Sequence, residues 1–156
     1  MTPMTRRRLL SALAAAPIVA ALPSFAQTAP AIVVAKDPNC GCCGAWVDIL
    51  REAGFDVTVD ELGPEGLRAV KVAGGVPAEM ASCHTGRVEG YVIEGHVPVA
   101  DIRRLLDERP DALGLAVPGM PWGSPGMGPE DKREAYDVYL LTKDGGAEVF
   151  SSYAAA

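Results

Sequence analysis

Lys36-Asp37-Pro38-Asn39-Cys40-Gly41-Cys42-Cys43-Gly44-Ala45-Trp46 places three of the chain's four cysteines within four consecutive positions. Just before it, Ala31-Ile32-Val33-Val34-Ala35 is a short continuous apolar run with β-branched residues, which predicts a buried strand. Just after it, Trp46, Val47, Ile49, Leu50 and Ala53 recur at helical spacing, and Gly54 is a stop signal. Asp37-Pro38-Asn39 reads as the turn that ends the strand. The cysteines are therefore expected in a strand-to-helix loop, with Cys42 and Cys43 near a helix N-terminus. The positive end of the helix dipole favours thiolate over thiol there, which suits metal binding and redox chemistry alike.

Downstream, Phe55, Val57 and Val59 alternate as a second strand, and Pro64 to Val72 reads as a second helix closed by Gly74-Gly75. Val76-Pro77 leads into an expected strand over Ala78 to Cys83. Gly86 to Gly90 reads as a turn, with Tyr91-Val92-Ile93 as the hairpin partner. Gly95-His96-Val97-Pro98 then bends the chain into a third helix, Val99 to Glu108. This order predicts an α/β fold, a thioredoxin-like sheet with flanking helices. In that arrangement the proline before the third strand is usually cis and lies beside the thiol loop. Pro77 is expected there as a cis residue, with Met80, Cys83 and His84 able to approach Cys40 to Cys43. Gly114 to Pro129, rich in glycine and proline, reads as a loop carrying Met120 and Met127. Tyr136 to Thr142 and Ala147 to Tyr153, joined through Asp144-Gly145-Gly146, read as a C-terminal β-hairpin. The hairpin is expected to extend the sheet edge or cover the methionine loop.

The amino terminus carries an address. Thr5-Arg6-Arg7-Arg8-Leu9-Leu10 is a basic segment, Leu9 to Leu22 is apolar but short and broken by Pro17, and Ser24-Phe25-Ala26 supplies small residues at a cleavage site. Residues 1–26 are expected to be a cleaved export signal, by the twin-arginine or the general secretory route. Residues 27–30 are expected to be a loose leader, and 31–156 a single metal-binding domain of thioredoxin-like type. Losing Arg6, Arg7 and Arg8 takes the net charge from −6 to −9. So acidic a protein argues against nucleic acid and anionic membrane surfaces as partners.

Three chemistries compete for the thiols. An even cysteine count in an exported protein is compatible with structural disulfides. Cys40–Cys43 is the comfortable local pair, which leaves Cys42 to reach Cys83, because bridges between adjacent cysteines are strained. A thiol–disulfide oxidoreductase would use Cys40 and Cys43 at C-x-x-C spacing, but then Cys42, Cys83 and His84 have no evident task. Metal binding accounts for the most residues. Thiolate, imidazole and thioether are the ligands of copper(I) or zinc. Their softness favours copper(I), and zinc is the lesser candidate because the paired knuckles of a structural zinc site are missing. Cys40, Cys42, Cys43 and Cys83 are the primary ligand candidates, and close thiolates can share one to several ions. His84 joins them only if the strand ends before it, since alternation would otherwise point it away from Cys83. Met120 and Met127 are candidate thioether ligands. His96, beside a proline turn, reads as structural or as a supporting residue, and Trp46 as packing under the thiol loop.

Several linked stretches then resemble one family. Lys36-x-Pro38-x-Cys40-Gly41-Cys42-Cys43-x-x-Trp46, Gly75-Val76-Pro77, Ser82-Cys83-His84-Thr85, Gly90-Tyr91-Val92-Ile93-Glu94-Gly95-His96-Val97-Pro98, and Gly119-Met120-Pro121 through Ser124-Pro125-Gly126-Met127 are similar in type and order to the CopG-type proteins. These are small exported metal-binding proteins associated with bacterial copper resistance. The resemblance runs from about Ala31 to Met127. It implies a thioredoxin-like fold and periplasmic copper handling through Cys40, Cys42, Cys43 and Cys83. Sequestration, transfer to an efflux system or other periplasmic copper-handling protein, and enzymatic conversion between copper(I) and copper(II) all fit that ligand set. An acidic residue often follows the second methionine in the family; Gly128 stands there, so no carboxylate role carries over.

Overall fold

The computed structural model describes residues 29–156. The stretch expected to be an export signal, residues 1–26, and the start of the expected leader lie outside the described residues. Strand β1 (Ala31–Lys36) runs into helix α1 (Gly41–Glu52), followed by β2 (Asp56–Glu61), α2 (Pro64–Ala73), β3 (Thr85–Val88), β4 (Tyr91–Glu94) and α3 (Val99–Glu108). A three-residue strand β5 (Gly114–Ala116) and the hairpin β6 (Tyr136–Leu141) and β7 (Ala147–Tyr153) complete the chain.

These strands form one sheet in the order β2-β1-β3-β4-β5-β6-β7. β1 pairs parallel with β2 and antiparallel with β3, and β3 pairs antiparallel with β4. A parallel βαβ unit joined to an antiparallel hairpin and a helix is the thioredoxin-like arrangement. The C-terminal hairpin adds to the sheet edge through β5, which pairs antiparallel with β6. Among the described residues no helix is long and apolar enough to cross a membrane.

Helix α1 covers the apolar spacing from Trp46 on, but it begins earlier, at Gly41, so Cys42 and Cys43 stand in its first turn rather than in the loop before it. Its buried residues are Cys43, Trp46, Val47 and Leu50, one stripe at helical period. Trp46, Val47 and Leu50 pack with Ile32 and Val34 of β1, Ile93 of β4 and Ile102 and Leu105 of α3. Burying a side chain of this size contributes roughly 1.5–3 kcal/mol. Because Cys43 opens the stripe, packing of the helix drags the thiol loop down onto the core.

Four further expectations are corrected. Pro77 is not cis, since no cis peptide bond occurs among the described residues. Ala78–Met80 is a 3₁₀ turn rather than the start of a strand, with the Met80 N–H bonded to Pro77 O at 3.0 Å. Pro77 presets φ for turning, and Ala78-Glu79-Met80-Ala81-Ser82 has no β-branched residue to favour a strand. The hairpin turn is only Glu89-Gly90, both at positive φ, while Gly86 to Val88 are in β3. A Cβ on Gly86 would lie 3.0 Å from the end of the Ile32 side chain, so the strand is tightly packed there. Finally, Gly114–Ala116 is strand and not loop. Its backbone passes so near Val92 O that a Cβ on Gly114 would overlap it, so the residue that looked like a loop marker permits parallel pairing with β4.

Candidate metal centre

The thiol loop is built by local hydrogen bonds. Asn39 N–H binds Asp37 Oδ1 at 2.7 Å and Cys40 N–H binds Asp37 O at 3.1 Å, a turn that aims Cys40 at the N-terminus of α1. Cys40 occupies the N-cap position without capping the helix through its side chain. Cys42 projects half-exposed from the first turn, and Cys43 is fully buried. Cys40 and Cys43 are joined as a disulfide, and Cys42 Sγ lies 3.5 Å from Cys40 Sγ.

Cys83 approaches from the loop before β3. Its Sγ and those of Cys40, Cys42 and Cys43 all lie within 4.8 Å of one another. Strand β3 begins only at Thr85, so the alternation that would have sent His84 away from Cys83 does not apply. His84 Nδ1 lies 3.2 Å from Cys83 Sγ. On the other side His96 Nε2 lies 3.1 Å from the same sulfur. Cys83 is thus shared by a group of four sulfurs and a group of one sulfur and two imidazoles.

His96 is the residue whose place the sequence reading missed. The β3–β4 register pairs Thr85 with Glu94, and continuing it two residues puts Cys83 opposite His96. That register, had the turn been located at Glu89-Gly90, was the available signal. The carbonyl of Pro125 can only accept, so His96 Nδ1 carries the proton and donates to it at 2.8 Å. This leaves the Nε2 lone pair facing Cys83, the orientation that metal-binding histidines use.

The environment keeps both rings in the neutral form that binds metals. His84 is pushed down to about 3, first by burial and then by the charges of His96 and Lys71. His96 is lowered, chiefly by burial. Cys83 is pushed up to about 11 by burial and then by Cys42, so its proton leaves at neutral pH only if a cation takes its place. His84 packs against Trp46, with ring centroids 4.4 Å apart, and its Nε2 is buried without a hydrogen-bond partner. Trp46 is itself fully buried and donates from Nε1 to Val97 O at 2.9 Å.

The methionine loop lies against this site. A Cβ on Gly126 would fall 2.9 Å from Cys42 O and from Trp46 N, so that glycine lets the loop lie on the first turn of α1. Met127, next to it, is half-buried, and Met120 is 53% exposed. Ser82 Oγ donates to Gly119 O, tying the Met120 end of the loop to the residue before Cys83. The segment ahead of the C-terminal hairpin holds the loop from outside, with Glu134 Oε2 accepting from Trp122 N–H at 3.0 Å and Trp122 O from Glu134 N–H at 2.9 Å.

A family model described as protein of unknown function DUF411 matches residues 80–127, the segment carrying Cys83, His84, His96, Met120 and Met127. Comparison with curated protein sequences gives no match. Two solved structures, described as copper resistance protein CopG, form 2 and form 1, are each 50% identical to this chain with a TM-score of 0.74. They cover 80% of this chain, which in turn spans 98% and 97% of theirs. The linked cysteine, histidine and methionine stretches and this identity agree: the chain belongs to the CopG copper-resistance family.

Proposed function

We propose that this protein binds copper(I) in the bacterial periplasm and serves copper resistance by sequestering the metal or transferring it to a copper-handling partner. The observation that carries this reading is the position of Cys83, whose sulfur belongs both to a group of four cysteine sulfurs and to a group with two imidazole nitrogens. Cys40, Cys42, Cys43 and Cys83 are the thiolate ligands, and His84 supplies a nitrogen. His96 joins them on its geometry. Met120 and Met127 cover the site or complete it. Soft sulfur donors with neutral imidazole favour copper(I) over harder ions, and closely spaced thiolates can bridge several ions. Opening the Cys40–Cys43 disulfide takes two electrons and two protons and yields the two further thiols, so copper capacity depends on the reduced state. Conversion of copper(I) to copper(II) is the enzymatic extension of this reading and would require a separate acceptor for the one electron that each ion gives up.

The disulfide itself favours a second reading, thiol–disulfide exchange by Cys40 and Cys43. One experiment separates the two: anaerobic titration of the reduced protein with copper(I), with free thiols counted on the same samples. Protection of all four thiols at a fixed ratio of copper to protein is expected. Weak copper binding together with a reversible Cys40–Cys43 couple would replace the metal function with exchange.

A further inference from the structure

Behind the metal site, between α2 and the β3–β4 hairpin, lies a buried polar cluster centred on Glu94, which is fully buried. Its Oε1 accepts from Ser82 N–H at 2.6 Å and from Lys71 Nζ at 2.6 Å. Its Oε2 accepts from Thr85 Oγ1 at 2.7 Å, and Lys71 Nζ donates also to Thr85 Oγ1 at 3.0 Å. Ser82 and Thr85 are the residues on either side of Cys83-His84. One carboxylate therefore brackets the dipeptide that carries a sulfur and an imidazole. The backbone continues the grip: Gly95 N–H, next in chain after Glu94, binds His84 O at 3.0 Å, and His96 follows it.

A buried ion pair is weak evidence of a stability device, because desolvating both charges offsets most of their attraction. An apolar pair would fill the same space between helix and sheet. What an apolar pair would not do is hold the Ser82 N–H and the Thr85 hydroxyl in fixed places, since both need an acceptor aimed from β4. The stretch before β3 has backbone bonds of its own at His84 O, from Gly95 N–H at 3.0 Å, and at Ala81 O, from Gly119 N–H at 3.3 Å, but neither engages the Ser82 N–H or the Thr85 hydroxyl.

We propose that Glu94, its charge balanced by Lys71, is the positioning residue for the Cys83–His84–His96 half of the copper site. The inference rests on the copper reading above. Glu94 makes no hydrogen bond to a ligand atom; it holds the Ser82 backbone N–H ahead of Cys83-His84 and the Thr85 hydroxyl after it, and Gly95, next in chain, binds His84 O and leads into His96. Such outer partners typically control metal affinity by about 10- to 100-fold.

The test uses Glu94→Gln, which keeps the length and offers one acceptor oxygen in place of two, and Lys71→Met/Glu94→Leu, which replaces the pair by apolar groups. Copper(I) affinity is measured by competition with a chromophoric copper(I) chelator, copper–thiolate luminescence is recorded, and the copper-free protein is melted. The expected result is a cooperative melt with affinity lower by about 10- to 100-fold and an altered emission spectrum in both variants. A folded variant that keeps wild-type affinity and emission overturns the proposal, and so does loss of folding in both, which would assign the cluster to the fold alone. If the wild-type protein itself takes up no copper(I), the copper reading fails and this inference with it.

Discussion

Cys83 and His96 face each other across the open end of the β3–β4 hairpin, with Sγ 3.1 Å from Nε2, thirteen residues apart in the chain. The hairpin register sets the pairing, and the bond from His96 Nδ1 to Pro125 O fixes which nitrogen is presented.

If that nitrogen is a ligand, His96→Ala will weaken copper(I) binding by roughly tenfold or more, in line with the effect of disturbing the partners of a metal site. Chelator competition on the reduced protein measures it. Unchanged affinity would return His96 to a packing role.

Cys42→Ser and Cys83→Ser separate the two chemistries. On the metal reading each lowers copper stoichiometry or affinity, whereas exchange through Cys40 and Cys43 alone would leave both variants nearly as active as the wild type in a disulfide-reduction assay. Measuring copper ratio and reductase turnover on the same preparations decides between them.

The stability of the copper-free, disulfide-bonded protein is expected to be flat near neutrality and to fall on both sides. His84 titrates at about 3 when folded and near 6.5 when unfolded, so below 6.5 the unfolded chain binds the extra proton and stability is lost as pH falls towards 3. His96, lowered in the same sense, adds to the acid loss. Each histidine contributes at most about 1.4 kcal/mol per pH unit within its window. Cys83 is raised from 9.0 to about 11, so on the alkaline side stability is present below 9 and is lost as pH rises through 11. Urea midpoints from pH 4 to 10 give the profile, and a midpoint that stays level from pH 6.5 to 4 would contradict the burial of the two imidazoles.

The C-terminal hairpin is held to α3 by Asp101, only 4% exposed, whose Oδ2 accepts from Tyr153 OH at 2.7 Å. Tyr153→Phe removes one acceptor-satisfying bond and should cost about 1–3 kcal/mol in stability, with copper binding unchanged. Thermal melts and the copper ratio check both halves of this expectation. A change in copper binding would mean that the hairpin reaches the site through the Trp122–Glu134 contacts.

Much of this molecule was legible as local pattern. The spacing of Trp46, Val47 and Leu50 shows the buried face of α1 because helical period acts within a dozen residues, although the helix extends back to take in Cys43 as well. The apolar run of β1, the bounds of α3 and the C-terminal hairpin were readable for the same reason. The clustering of scarce soft side chains in Cys40-Gly41-Cys42-Cys43 and Cys83-His84 identified the candidate chemistry without any geometry, since ligand type is a property of the side chain.

What needed the tertiary structure was every feature set by contact between distant segments. Gly86 and Gly114 looked like punctuation, yet Gly114 is required by the approach of Val92 O, and a Cβ on Gly86 would fit only tightly against the Ile32 side chain. β3 begins only at Thr85, after Cys83 and His84, and runs on to Val88, so the turn is the two residues Glu89-Gly90 rather than the five from Gly86 to Gly90. His96 is brought to Cys83 by the hairpin register and the Pro125 carbonyl, and nothing along the chain marks Glu94, around which Lys71, Ser82 and Thr85 close. Period and ligand type act along the chain, whereas pairing register and close approach arise between segments far apart in it, and those relations exist only once the sheet has formed.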